Sequence, residues 1–266
     1  MPLMPIRTIA LSGLALLLAG CNDGLSTARE RSGFVAAVAL DAGGSTYAME
    51  YLGAFYRYNG LSADLGELET CIAIPYSPIA PPIATLPTME AGEGVYLTLS
   101  GRDDTLRANT DLGITSYSLV GVKSVPYTPG DTLTLTVPGD VNGFPPATVK
   151  VRTAEPFTFD PVGNPADAEP LTVTWTAATE PGSTIVFRLR LSNTASPDPN
   201  TEIICIFADD GSGEVGAIYA DVWADADPAS KSVAVERVRQ GTVVIDERTK
   251  LTVSSFFDQP IRLATP

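Results

Sequence analysis

The sequence predicts an all-β protein made of two antiparallel β-sandwich domains, and three observations carry that prediction. From Phe34 onward, apolar residues recur at every second position, the period of a strand with one buried face. Turn-forming pairs separate these stretches at short intervals. No long segment repeats at the 3.6-residue period of a helix, so strands must build the core.

The elements follow in order along the chain. Tyr47, Tyr51, Phe55, Tyr56 and Tyr58 form its densest aromatic stretch. A strand-like phrase surrounds Cys71, and the proline-rich run from Tyr76 to Pro87 excludes a central strand there. Apolar runs at 95–99 and at Leu133, Leu135 and Val137 continue the β pattern. Residues 137–147 are the richest in Gly and Pro, which places one domain at 33–138 and a second at 147–264. Beyond that boundary come Leu171, Val173 and Trp175, and then Ile185, Phe187, Leu189 and Leu191, with Arg188 and Arg190 facing the other way. Strands at 203–207, 232–238 and 242–245 complete the set, with one short helix at Ala217 to Ala224. Pro129-Gly130, Gly139-Asp140, Pro181-Gly182 and Asp210-Gly211 supply the turns.

The first residues have a different logic. Arg7 is the only charge among residues 1–20, an apolar stretch runs from Ile9 to Ala19, and small residues precede a cysteine. That is the layout of an export signal, and the stretch is about half of the roughly 20 residues a membrane-spanning helix needs. Leu18, Ala19, Gly20 and Cys21 resemble the lipobox of bacterial lipoproteins. The resemblance implies a signal peptide over 1–20, diacylation of the Cys21 thiol, and a mature chain beginning at Cys21. It also implies acylation of the new amino terminus, so that several acyl chains hold the protein firmly where one would be marginal. Asn22 stands where an aspartate would resemble an inner-membrane retention signal, so the outer membrane is the expected location, although Asp23 follows it. Residues 21–32 are polar and aperiodic and read as a flexible tether.

Composition limits what the tethered body does. Losing Arg7 with the signal leaves 16 basic residues of the 17, against 31 acidic ones. Such a surface repels phosphate backbones and anionic lipid headgroups, and no cluster of five or more Lys and Arg counters it, so nucleic acid is not an expected partner. The chain has no histidine, which excludes Ser-His-Asp and Cys-His sites and any His-containing zinc site. The Ser-x-x-Lys and Cys-x-x-Cys patterns are also missing. The expectation is a noncatalytic protein with no obligatory cofactor.

Cys71 and Cys205 remain once Cys21 is committed to lipid. They either pair in an oxidising compartment, closing a long loop, or lie apart as separately buried thiols. Asp209, Asp210 and Glu214 begin a carboxylate-rich stretch of the kind that can hold Ca²⁺. Asp140-Val141-Asn142-Gly143 resembles the opening of a dockerin-like calcium loop, from which Phe144 and Pro145 depart. Gly211, Gly213 and Gly216 spell G-x-G-x-x-G, but carboxylates sit where a pyrophosphate would approach and no βαβ unit surrounds them. A glycine-rich hairpin or loop is the expected reading.

The phrases LTVTWTAATEPG, STIVFRLRLSN, EIICIFADDGSGEVG and SVAVERVRQG resemble an uncharacterised class of secreted bacterial lipoprotein domains with an Ig-like sandwich. Trp175, Cys205, Asp209, Asp210, Gly211 and Arg237 carry that resemblance. It implies an Ig-like fold for the second domain and no activity. The single cysteine in this half departs from antibody-type domains. Together these readings predict an envelope lipoprotein with a structural or protein-interaction role, attached to the membrane through its lipid and partnered by other envelope proteins. The alternative is a carbohydrate- or peptide-binding module that uses Tyr47, Tyr51, Tyr56 and Tyr58 as an aromatic face.

Overall fold

The computed structural model describes residues 31–41, 47–57, 65–77, 88–111, 113–121, 124–166, 169–194 and 198–260. The expected signal peptide, Cys21, most of the tether and Tyr58 lie outside them. The described chain is all-β. Its strands are β1 (Arg31–Asp41), β2 (Tyr47–Arg57), β3 (Thr70–Pro75), β4 (Gly94–Leu99), β5 (Arg102–Asp111), β6 (Ile114–Leu119), β7 (Val125–Tyr127) and β8 (Thr132–Val137). There follow β9 (Ala147–Arg152), β10 (Leu171–Thr174), β11 (Ser183–Leu191), β12 (Thr201–Ala208), β13 (Ser212–Val215), the helix α1 (Ala217–Asp225), β14 (Ser232–Asp246) and β15 (Thr249–Pro260).

Thirteen of these strands share one sheet, ordered β3-β12-β11-β14-β15-β1-β2-β6-β5-β4-β8-β9, with β7 also on β2; β10 and β13 form a separate ribbon. The ladders are antiparallel except β1 with β15, which run parallel from Arg31↔Thr249 to Ala39↔Phe257. Strict alternation builds the inner face. In β8 the buried residues are Leu133, Leu135 and Val137, and the threonines between them face outward. Threonine suits that outer face because its β-branched stem packs well on a pleat. In β11, Ile185, Phe187, Leu189 and Leu191 are fully buried. One core cluster runs through the molecule, from Val35, Phe55 and Leu97 to Phe187, Phe207 and Trp223.

Two points of the sequence reading take a different form in the structure. Arg31 and Ser32, read as tether, are the first residues of β1. The Arg31 N–H donates to Arg248 O at 2.7 Å, which satisfies the strand's first donor and extends the ladder past the last apolar residue. The Gly- and Pro-rich segment 138–146 turns β8 back onto β9, and these two strands pair from Thr132↔Arg152 to Val137↔Ala147. The segment is packed rather than extended: Phe144 is fully buried, and a Cβ on Gly143 would lie 2.0 Å from Glu90 O. Only glycine fits there. Ladders β3·β12 and β1·β15 join strands from either side of this segment.

The helix occurs where the sequence places it, with Ala220 and Trp223 turned inward and Trp223 Nε1 donating to Gly163 O at 3.2 Å. Among the described residues, no helix is long and apolar enough to cross a membrane.

Candidate functional site

Trp175, Asp209 and Arg237, three of the residues that carry the Ig-like resemblance, meet in a buried ionic hub between β12, β14 and the end of β10. β12 stops at Ala208 because Asp209-Asp210-Gly211 turns the chain, with Gly211 at φ 109°, a conformation that glycine adopts without strain. The turn aims the Asp209 carboxylate inward. Arg237 on β14 meets it with two hydrogen bonds, Nε to Oδ2 at 2.6 Å and Nη2 to Oδ1 at 3.0 Å. Trp175 Nε1 donates to Oδ1 at 2.9 Å and Ser183 Oγ to Oδ2 at 2.6 Å. Both charged side chains are 2% exposed.

The accounting closes on both partners. Arg237 spends its remaining donors on Thr176 O at 2.6 Å, Glu155 O at 3.4 Å and Pro156 O at 3.3 Å, and lies 4.7 Å from the Phe157 ring centroid. Five guanidinium donors have five acceptors, and the carboxylate's two oxygens take four donors. Two positions along on the same face, Arg239 holds Glu155 through Nε and Nη2, each at 2.9 Å, and also reaches Glu180 O and Pro181 O. The two arginines pin the 155–157 and 176–181 loops to the sheet. This is holding chemistry, with every polar group consumed.

The opposite face of β14 carries a second charged group that pattern reading missed. Glu236 Oε2 lies 2.7 Å from Arg188 Nη1, and both side chains are buried. Asp258 is the β15 residue in register with Glu236. Arg188 is thus paired with Glu236 and close enough to Asp258 to act on its charge. Burial first, then the Glu236 charge, push the Asp258 carboxyl up to about 7, with Arg188 pulling the other way. Arg188 Nε has no hydrogen-bond partner among the described residues. Beyond it, Arg190 binds Glu202 at 2.7 Å and lies over the Tyr76 ring. The set can hold a proton near neutrality. Its signal in the sequence was the Arg188/Arg190 alternation in β11, which reads as a solvent face until Val186, Ile204 and Phe256 show that this face is buried as well.

The remaining sequence-derived candidates separate. Cys71 and Cys205 stand opposite each other in the β3·β12 ladder and form a disulfide, so the paired reading is the one the structure takes. The tyrosines are not gathered on one face. Tyr47 makes edge contacts with Tyr127 and Phe257, and Tyr51 is 6% exposed, with burial pushing its hydroxyl up. Tyr56 turns to the other side of β2, against Phe34. Period-two alternation, which splits odd from even positions, is the reason.

Asp209, Asp210 and Glu214 also part. Asp209 is fully engaged by Arg237, Trp175 and Ser183; Asp210 Oδ1 accepts from Ser212 N–H at 3.3 Å; and Glu214 is exposed on β13. The carboxylate nearest the core is thus a salt-bridge partner of Arg237. Among the described residues no three His, Cys, Asp or Glu side chains are grouped to share a cation. In the Asp140 loop, Asp140 Oδ1 accepts from Asn142 N–H, closing a turn. Of the G-x-G-x-x-G glycines, Gly213 is fixed by packing, since a Cβ there would meet the Phe207 ring at 2.7 Å, and Gly211 by its positive φ.

Comparison of the chain with protein-family models, with curated proteins and with solved structures found no match.

Proposed function

We propose that the protein is a lipid-anchored lipoprotein of the bacterial envelope, placed in the outer membrane, whose body has a noncatalytic structural or protein-interaction role. The reading starts from the Leu18-Ala19-Gly20-Cys21 lipobox. The observation that carries it further is the Cys71–Cys205 disulfide, because such bonds persist in the periplasm or at the cell surface and are rare in the cytosol. The interaction role is supported by the way the body spends its charges. Its buried carboxylates at Asp209, Glu202 and Glu236, and the half-buried Glu155, are each committed to an arginine.

The body itself is read as two sandwich-like units, the second Ig-like. In that unit the β10·β13 ribbon lies over the β11/β12 face, with Trp175 stacked on Phe159 and Phe207. The test is cell fractionation of Cys21→Ser. The parent chain is expected with membranes and the variant in the soluble fraction; an unchanged membrane fraction for the variant would contradict the anchor.

A further inference from the structure

We infer that one end of the body is a membrane-resting surface, formed by the start of β1, the end of β2, the β14–β15 hairpin and the 138–146 loop, and that its partner is the lipid headgroup layer. The inference rests on the lipid-anchor reading and adds which surface meets the bilayer.

The convergence of these elements is fixed by pairing. Arg31 is in register with Arg57 on one side and with Thr249 on the other, so the first residue of β1, the last of β2 and the β14–β15 turn share one end. Arg57 Nη2 donates to Asn142 O at 3.2 Å, which brings the 138–146 loop to the same place. Nine residues separate Cys21 from Arg31. A fully extended chain of that length reaches about 35 Å, and a random coil roughly half of that. A lipid on Cys21 therefore places this end, where the described chain begins, nearest to the bilayer along the chain.

The chemistry of that end suits the partner. Val141 is 100% exposed, the highest of the large apolar residues, and Val244 is 62% exposed. A single exposed valine needs no explanation. Two of them at the end where the tether leaves are placed to touch headgroups. The rim formed by β1, β2 and the hairpin carries Arg31, Arg57, Arg248 and Lys250 against Asp246 and Glu247, whereas the whole chain has 17 basic and 31 acidic residues. On the loop side lie Glu90 and Asp140, the latter's Oδ1 turned onto Asn142 N–H. The excess of negative charge thus lies away from the rim, and anionic lipid meets cations there.

The test uses the full lipidated chain in vesicles of phosphatidylglycerol and phosphatidylcholine with brominated acyl chains. One tryptophan at a time is added by Val141→Trp, Val244→Trp or Val120→Trp, and the emission of the native Trp175 and Trp223, measured on the parent chain in the same vesicles, is subtracted. Val120 is 70% exposed and follows the β2·β6 ladder, in which Leu52 faces Ser118, so it lies about seven residues, or roughly 23 Å, from the Arg57 level. Emission at 141 and 244 should be quenched and blue-shifted by the bromolipid, and emission at 120 should not. Replacing Arg248 and Lys250 by Glu should reduce that quenching in phosphatidylglycerol vesicles.

Acylation of the Cys21 peptide is read by mass on the same samples. Equal quenching at all three positions on an acylated chain would overturn the resting surface while leaving the anchor intact. An unacylated chain would overturn the anchor itself. Should one tryptophan prevent folding, the other valine position gives the same comparison.

Discussion

Arg237 and Asp209 show how much a single pair of residues can hold. Removing one member of a buried, hydrogen-bonded ion pair leaves the other charged and unpaired, at a cost of about 3–5 kcal/mol. Arg237→Ala and Asp209→Ala are therefore each expected to lower the urea midpoint by that free energy, and the double replacement Arg237→Met/Asp209→Leu by less than their sum. Strict additivity would contradict the coupled hub. Asp258 acts in the other direction. Its carboxyl titrates near 7 in the fold and near 3.8 when exposed, so the folded state binds more protons between those values, and stability falls as pH rises through that window. Above about 7 the loss is complete and levels off, at a few kcal/mol or less because Arg188 shares the charge. Asp258→Asn should raise the melting temperature at pH 8 and change it little at pH 4. An equal shift at both would place its effect elsewhere. At this scale the sequence was half legible. Trp175, Asp209 and Arg237 could be picked out together, and the structure joins them by hydrogen bonds. Glu236 and Asp258 could not, because only the β14·β15 register brings them opposite each other.

Among the elements, β3 departs most from its chain neighbours. It leaves the β2-to-β4 succession to pair with β12, and the disulfide closes a loop of 134 residues. By the chain-entropy estimate that closure is worth about 5 kcal/mol. Cys71→Ser/Cys205→Ser should lower unfolding free energy by a comparable amount in urea titration, and the parent in reductant should match the double variant. A parent indifferent to reductant would mean that the bond does not form. The β8–β9 turn gives a second test. With Glu90 O 2.0 Å from the position of a Cβ, Gly143→Ala must displace backbone, and a loss of about 1–3 kcal/mol is expected in the same assay. Local patterns made most strands legible, including the alternation in β8, β10 and β11, and also the helix α1. They marked a turn at Gly139-Asp140 but not that 138–146 joins two paired strands, since Gly and Pro mark linkers and tight turns alike. Nor did they separate the aromatic stretch into Tyr47 and Tyr51 on one side of β2 and Tyr56 on the other until the strand's register was known.

For the whole molecule, the parallel pairing of the first strand with the last ties the end nearest the tether to the body's longest hairpin. Residues 31–57 and 232–260 thereby form adjacent strands despite their separation in sequence, a contact that no local pattern encodes. Such non-local ladders are slow to form. The proposed compartment, by contrast, rests on residues 18–21, outside the described body, and a Cys71–Cys205 disulfide is of the kind that persists in an oxidising one. The most direct measurement is the mass of the amino-terminal peptide of the protein isolated from membranes. A peptide beginning at Cys21 and carrying acyl chains is the predicted result. A peptide that begins elsewhere, or a free Cys21 thiol, would contradict the account.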